Sequence, residues 1–149
     1  MSQTSLQEKG HKPTPVERHY DLSPTVWRPI LGKDMNYHFG YFKDVDDRDY
    51  EKGLRATVAK LAAHIPKGSR VLDMGCGWGG PARQLMKEFG CKVQGITNSS
   101  VQAKYSQLRN PVKVLDVEKK EINGTFDVLW LLESFEHILD KKKLLKRIR

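Results

Sequence analysis

The stretch VLDMGCGWGG at residues 71–80 holds four glycines in ten positions, directly after an apolar run and directly before a helix-like one. Gly75, Gly77 and Gly80 are spaced G-x-G-x-x-G, the pattern in which a tight turn brings backbone N–H groups against phosphates at a helix N-terminus. Whether the turn sits in a binding crevice depends on what flanks it.

Working outward, residues 70–74 read as a short buried strand. Residues 79–89 read as a helix with Ala82, Leu85, Met86 and Phe89 on one face, Pro81 in its first turn and Gly90 as its stop. A second strand is expected over 92–97. Ser99 or Ser100 can cap the next helix, whose Val101, Tyr105 and Leu108 point inward and which Asn110 and Pro111 end. Strands at 112–117 and 126–132 follow, and Asp140 can cap a last helix. Upstream, Leu54, Val58, Leu61 and Ile65 recur at helical spacing over 49–65, closed by Pro66, Lys67 and Gly68. Residues 11–29 carry four prolines among mixed aromatics, which predicts an irregular or short-helical segment that wraps the core. Strands alternating with helices at this spacing imply right-handed crossovers, hence a Rossmann-like α/β fold: a parallel sheet with helices on both faces and ligands outside the carboxyl ends of its strands. The expected division is an N-terminal lid over 1–48 and a cofactor-binding core over 49–149.

Composition fits this reading. A chain of 149 residues, 38% hydrophobic and 30% charged, is an ordinary globular domain with enough apolar side chains for a core. No apolar run approaches the roughly 20 residues of a spanning helix, and the polar start MSQTSLQEKGHKP has no signal-peptide middle, so a cytoplasmic location is expected. Cys76 and Cys91 form neither a disulfide framework nor a metal-ligand spacing, and both are expected as reduced thiols, with no metal site. The net charge of +8 is concentrated at one end: residues 1–140 hold 20 Lys+Arg against 18 Asp+Glu, and KKKLLKRIR supplies six cations and no acid. Leu144, Leu145 and Ile148 share one face of that tail, which reads as a solvated helix and not as a nucleic-acid groove.

Two kinds of ligand compete for the glycine turn. A dinucleotide site needs an acid about 20 residues on for the ribose, and the positions around Gly95 to Thr97 hold none. Asp73, two residues before the first glycine, would repel a pyrophosphate and suit an ammonium. The pattern Val71, Leu72, Asp73, Gly75, Gly77, Gly79 resembles the first motif of the class I S-adenosylmethionine-dependent methyltransferases. That resemblance implies that Asp73 serves the amino group of the cofactor's methionine portion, with Gly75 and Gly77 letting backbone lie against that portion and the ribose. GITNSSVQ, after the second strand, resembles the cyclopropane-fatty-acid-synthase-like and tocopherol-methyltransferase-like branches, and by it Thr97, Asn98 and Gln102 replace the usual ribose-binding acid. The same side chains can also cap the next helix. LDVE, at the end of strand three, places Asp116 and Val117 on the adenine side by the same resemblance.

The lead-in YDLSPTVWRPILGKDMNYHFGYF resembles the N-terminal region of small-molecule methyltransferases, which closes over the cofactor. Tyr37 and His38 are its expected cofactor contacts, since aromatic rings attract a sulfonium. LLESFEHILDK resembles the segment beside the methyl-donor end, where Leu132 would line the methionine pocket by its backbone and His137 would handle the proton. Glu133 and Glu136 are weaker candidates, because acids in a first helical turn also answer the helix dipole.

The resemblance therefore implies methyl transfer from S-adenosylmethionine to a small-molecule or lipid acceptor. It also implies a seven-stranded sheet, of which only four strands can be counted. Trp130, with Leu129, Leu131 and Leu132, is expected on an open edge prone to association, as in a truncated enzyme or one completed by a partner chain. The alternatives are a dinucleotide-dependent oxidoreductase and a non-enzymatic cofactor-binding accessory module.

Overall fold

The computed structural model describes residues 15–106 and 111–148. Two short helices, α1 (Pro15–Tyr20) and α2 (Pro24–Leu31), open the described chain. The proline-rich segment is thus short-helical: Ser23 caps α2 by accepting from the Thr25 N–H (3.3 Å), Pro24 starts it, and Gly32 ends it by donating to the Arg28 carbonyl (3.0 Å). α3 (Tyr50–Ala62) follows, capped by the Asp49 carboxylate, which accepts from the Lys52 N–H.

The core alternates as expected: β1 (Arg70–Met74), α4 (Gly80–Phe89), β2 (Lys92–Thr97), α5 (Ser100–Ser106), β3 (Val112–Val114) and β4 (Val128–Trp130). A 3-10 turn at Phe135–His137 and α6 (Lys141–Arg147), capped by Asp140, complete it. The four strands are parallel in the order β3-β2-β1-β4, with Val71 opposite both Val93 and Val128. β1 lies between two neighbours, so alternate residues are buried on opposite faces. Val71 joins Val58 and Ala62 of α3, Ala82 and Leu85 of α4, and Trp130. Leu72 and Met74 join Ile96, Ile138 and Leu144 on the other face.

Several side chains fall differently from the periodicity. Ala62, fully buried, takes the core position expected of Leu61, which is 54% exposed, because the buried face of α3 runs Leu54, Val58, Ala62 at four-residue spacing; the helix also ends at Ala62, short of the expected 65. Leu144 is buried and Ile148 packs beside it while Leu145 is exposed, and Arg147 donates to the Val117 carbonyl (2.8 Å), so the basic tail docks on the core by one edge. Ser99, and not Ser100, caps α5, its Oγ accepting from the Gln102 N–H (3.1 Å). Leu108 and Asn110 lie outside the described residues. β3 ends at Val114, where Asp116 folds back to accept from the Lys119 and Lys120 N–H groups. β4 is likewise shorter than 126–132. Among the described residues it pairs only with β1 and so forms an edge. Trp130 itself is 6% exposed, however, because it points into the α3/α4 face, and Leu129, Leu131 and Leu132 pack half-buried against the two core clusters. The open edge is therefore backbone more than exposed apolar side chain.

The N-terminal segment is fastened to this core at several points. Trp27, Leu31 and Met35 bury against Trp78 of the glycine turn. Arg83 donates to the Asp34 carbonyl, and Arg55 pairs with both Asp34 and Glu88. Phe42 fills a notch between Gly40 and Gly53, where added Cβ atoms would come within 2.6 and 2.2 Å of its ring. Asn36 is seated against Gly80 so closely that a Cβ there would lie 2.1 Å from its Oδ1 and 2.6 Å from the Asp34 carbonyl oxygen. Among the described residues no helix is long and apolar enough to cross a membrane. Gly80→Ala is expected to displace the 34–36 strap and destabilise the chain by about 1–3 kcal/mol, the usual range for overpacking. Urea denaturation reads this directly, and an unchanged midpoint would show that the strap yields at no cost.

Candidate functional site

β1 stops because its next two N–H groups, those of Gly75 and Cys76, both donate to the Ile96 carbonyl (2.8 and 2.9 Å) and turn the chain across the end of β2. The turn needs left-handed backbone at Gly75, Gly77 and Gly79 (φ 86°, 51° and 78°), where only glycine sits without strain. At Gly75 the side chain is excluded for a second reason, since a Cβ would lie 2.4 Å from that of Ser134. Ser134 Oγ donates to the Met74 carbonyl (2.6 Å), drawing the segment after β4 over the turn.

These close approaches leave one cavity at the carboxyl ends of the strands. Its walls include the twelve main candidates from the sequence, Tyr37, His38, Asp73, Gly75, Gly77, Thr97, Asn98, Gln102, Asp116, Val117, Leu132 and His137, and of the two weaker ones they include Glu133 but not Glu136. The topology explains the convergence. Asp73 ends β1, Thr97 ends β2, Asp116 follows β3 and Leu132 follows β4, so four chain segments deliver their residues to one side of the sheet.

Asp73 is the electrostatic centre of this cavity. It is 3% exposed, its Oδ2 has no hydrogen-bond partner among the described residues, and burial raises its carboxyl to about 7. Among the described residues nothing pairs with a carboxylate here, and a cationic or N–H-donating ligand is the kind that would compensate it. Thr97 and Gln102 are both buried and joined side chain to side chain (2.9 Å), while Thr97 Oγ1 also accepts from the Ser99 N–H (3.2 Å). Their capping geometry and their place on the cavity wall thus coexist. Asn98 stands exposed at the rim. Asp116 is half-buried, and although burial raises its carboxyl, the hydrogen bonds and charge of Lys119, 2.9 Å away, together with the Glu118 and Lys119 N–H groups hold it below the usual range.

The opposite wall comes from the N-terminal segment and the loop after β4. His38 is 7% exposed, its Nδ1 lies 2.9 Å from the Phe39 carbonyl oxygen, and its Nε2 is unpartnered among the described residues. Burial lowers its basicity against the opposing effects of that hydrogen bond and of the Glu133 charge. Tyr37 is nearly half exposed and stands edge-on to Tyr20 (5.8 Å) and Trp27 (5.2 Å). His137 lies in the 3-10 turn, exposed, with its ring 6.2 Å from that of Tyr20. Glu133 takes up left-handed backbone (φ 49°) and accepts from the Phe39 N–H (2.7 Å), tying the two halves of the wall together.

Sequence reading missed Tyr20, Met35, Trp78 and Ser134 as cavity residues and ranked Glu133 low. Tyr20 and Met35 lie within the quoted lead-in, but their approach to the cavity depends on how α1 and α2 dock. Nothing in the sequence marks the positive φ of Glu133, which is not a glycine.

The sequence model of the mycolic acid cyclopropane synthetase family matches residues 7–145. Cyclopropane-fatty-acyl-phospholipid synthase of Escherichia coli (strain K12) is 31% identical over 137 residues, covering 90% of this chain and 36% of that protein. Chloroplastic tocopherol O-methyltransferase of Arabidopsis thaliana is 30% identical over 156 residues, covering 89% and 44% respectively. A solved mycolic acid cyclopropane synthase complexed with SAH and CTAB superposes with a TM-score of 0.78 at 26% identity, covering 89% of this chain and 51% of that one. The chain thus spans 36% and 44% of the length of these two curated relatives. With sheet order, glycine turn and the loop after β4 all inside the matched region, the chain belongs to the mycolic acid cyclopropane synthetase family and carries the class I methyltransferase fold.

Proposed function

We propose that this chain is the cofactor-binding part of an S-adenosylmethionine-dependent methyltransferase whose acceptor is a small molecule or a lipid. The observation that carries the reading is Asp73: a buried, unpartnered carboxylate beside a glycine turn, in a cavity whose described lining has no Lys or Arg. Such a site repels a pyrophosphate and binds a cation, which also weighs against the dinucleotide reading. The SAH in the superposed cyclopropane synthase supports the same ligand class.

Asp73 would hold the ligand's ammonium, with the glycine backbone of Gly75 and Gly77 beneath its methionine portion and ribose. Thr97, Asn98 and Gln102 would hold the ribose side, Asp116 and Val117 the adenine side, and Leu132 the methionine pocket through its backbone. Tyr37 and His38, within a lid spanning residues 1–48 over the core of 49–149, would close the methyl-donor side. When bound, the cofactor supplies a sulfonium methyl group for in-line transfer. The protein's tasks are to exclude water, orient the acceptor and move a proton. His137, exposed at the rim, is the group that would take that proton and pass it to solvent. A cytoplasmic location suits two buried free thiols, and the backbone edge of β4 is where a second chain or copy would add.

Calorimetry with S-adenosylhomocysteine tests this. Micromolar binding is expected, weakened at least tenfold in Asp73→Asn, with no binding of a nicotinamide dinucleotide. Preference for the dinucleotide would sink the proposal. The pH dependence has a definite sign. Asp73 titrates at about 7 in the folded chain against 3.8 as a free side chain, so the fold favours its protonated form. The stability it contributes to the ligand-free chain is complete below its unfolded pKa and is lost as pH rises through about 7. A ligand ammonium reverses the preference, so binding near pH 7 releases about half a proton, more toward pH 6 and almost none above pH 8.5. Calorimetry in buffers of different ionisation enthalpy measures this, and release that persists in Asp73→Asn would assign the proton elsewhere.

A further inference from the structure

We propose that the end of the cavity walled by Tyr20, Tyr37, His38 and Glu133 is an acceptor subsite for a protonated amine, an inference that rests on the methyltransferase reading and narrows its acceptor. Four observations converge on it. The first is an unmet hydrogen bond. The Phe39 carbonyl can only accept, so His38 Nδ1, 2.9 Å from it, carries the ring hydrogen. His38 Nε2 is then a lone pair, buried and without a partner among the described residues, and it calls for an N–H or O–H from a ligand. Burial lowers the basicity of this imidazole, which keeps Nε2 in the accepting form.

The second observation is a fixed negative charge. Glu133 is pinned at this wall by the Phe39 N–H at 2.7 Å, and its field reaches both His38 and Tyr20, with Glu136 adding to it at Tyr20. The third is the ring arrangement. Tyr20 stands edge-on to Tyr37 at 5.8 Å and to His137 at 6.2 Å, an aromatic enclosure of the kind that attracts a cation. The fourth is charge segregation. In a chain with 26 Lys and Arg, none is found among the described residues of the cavity lining. The nearby Lys141 turns its Nζ to the Ile138 carbonyl (2.7 Å).

An ammonium meets all four at once. It donates an N–H to Nε2, balances Glu133 and lies against the tyrosine rings. An alcohol could satisfy Nε2 but draws nothing from the charge or the rings, and a carboxylate or phosphate would face Glu133 with no cation to offset it. For the amine to act as a nucleophile, one N–H bond breaks, the electron pair stays on nitrogen and the proton goes to the His137 ring.

The test is calorimetry on the chain saturated with S-adenosylhomocysteine, using two amines, N-methylbenzylamine and N-methylhexylamine, each against its neutral methyl ether, with phenylacetate as the anion. At least one amine is expected to bind about tenfold tighter than its ether, and phenylacetate not at all. In Glu133→Gln, which keeps an oxygen for the Phe39 N–H, and in Tyr20→Leu, the amine-to-ether ratio should fall toward one. Being a ratio within a single variant, it is insensitive to a general loss of folding. Equal affinities of amine and ether, or no amine binding at millimolar concentration, with S-adenosylhomocysteine bound, overturn the amine subsite and leave the methyltransferase reading standing. Failure of S-adenosylhomocysteine to bind a folded chain overturns both.

Discussion

Two N–H groups converging on one carbonyl organise this molecule. Because Gly75 and Cys76 both donate to Ile96, β1 cannot continue, and the chain must turn over the end of β2 in a conformation that glycine alone adopts freely. The turn starts α4, brings Trp78 to where α2 and Met35 bury against it, and leaves a floor flat enough for Ser134 to approach from the far side. Cavity, N-terminal segment and the loop after β4 are all consequences of this one change of direction. A side chain at Gly75 would disturb the turn and the loop together.

The electrostatic design is the inverse of the chain's overall character. The protein is strongly basic, yet its cavity presents Asp73, Asp116 and Glu133, and its histidine wall includes a buried nitrogen, His38 Nε2, with no partner among the described residues. A buried carboxylate such as Asp73, whose Oδ2 has no partner among the described residues, lowers stability at neutral pH. It stands in a cavity whose described lining holds no Lys or Arg to supply the missing charge. Asp116 shows the contrast: with Lys119 beside it, it has its own counter-ion.

The parallel sheet and the glycine turn are legible in the sequence, because short buried runs alternating with helix stops and a glycine cluster each have a local physical cause, whereas the residues that meet at the strand ends follow from the resemblance to the methyltransferase motifs. Strand ends were less so. β3 was read through to 117, but Asp116 turns the backbone by its own hydrogen bonds, which competing local chemistry can do without any change in hydropathy. Leu61 and Ala62 exchange places because the face that meets the sheet continues from Leu54 and Val58 at four-residue spacing, which the apolar pattern alone does not separate from a three-residue step. The acceptor-side wall was least legible. Tyr20, Glu133 and Ser134 reach the cavity through long-range contacts, and the left-handed backbone at Glu133 has no signature in the identity of the residue.

The seating of residues 36–42 has a mechanical consequence. At one end Asn36 is wedged against Gly80, and at the other Phe42 fills the notch between Gly40 and Gly53. Between them Phe39 is held by its N–H to Glu133 and its carbonyl to Thr57. A segment clamped at both ends behaves as a beam and not as a door: it can bow inward or outward over the cavity, but it cannot swing clear while both clamps hold. Access to the cavity from this side is therefore set by how far the short span carrying Tyr37 and His38 can flex. Ligand entry and the grip of Glu133 on Phe39 become two readings of the same deflection.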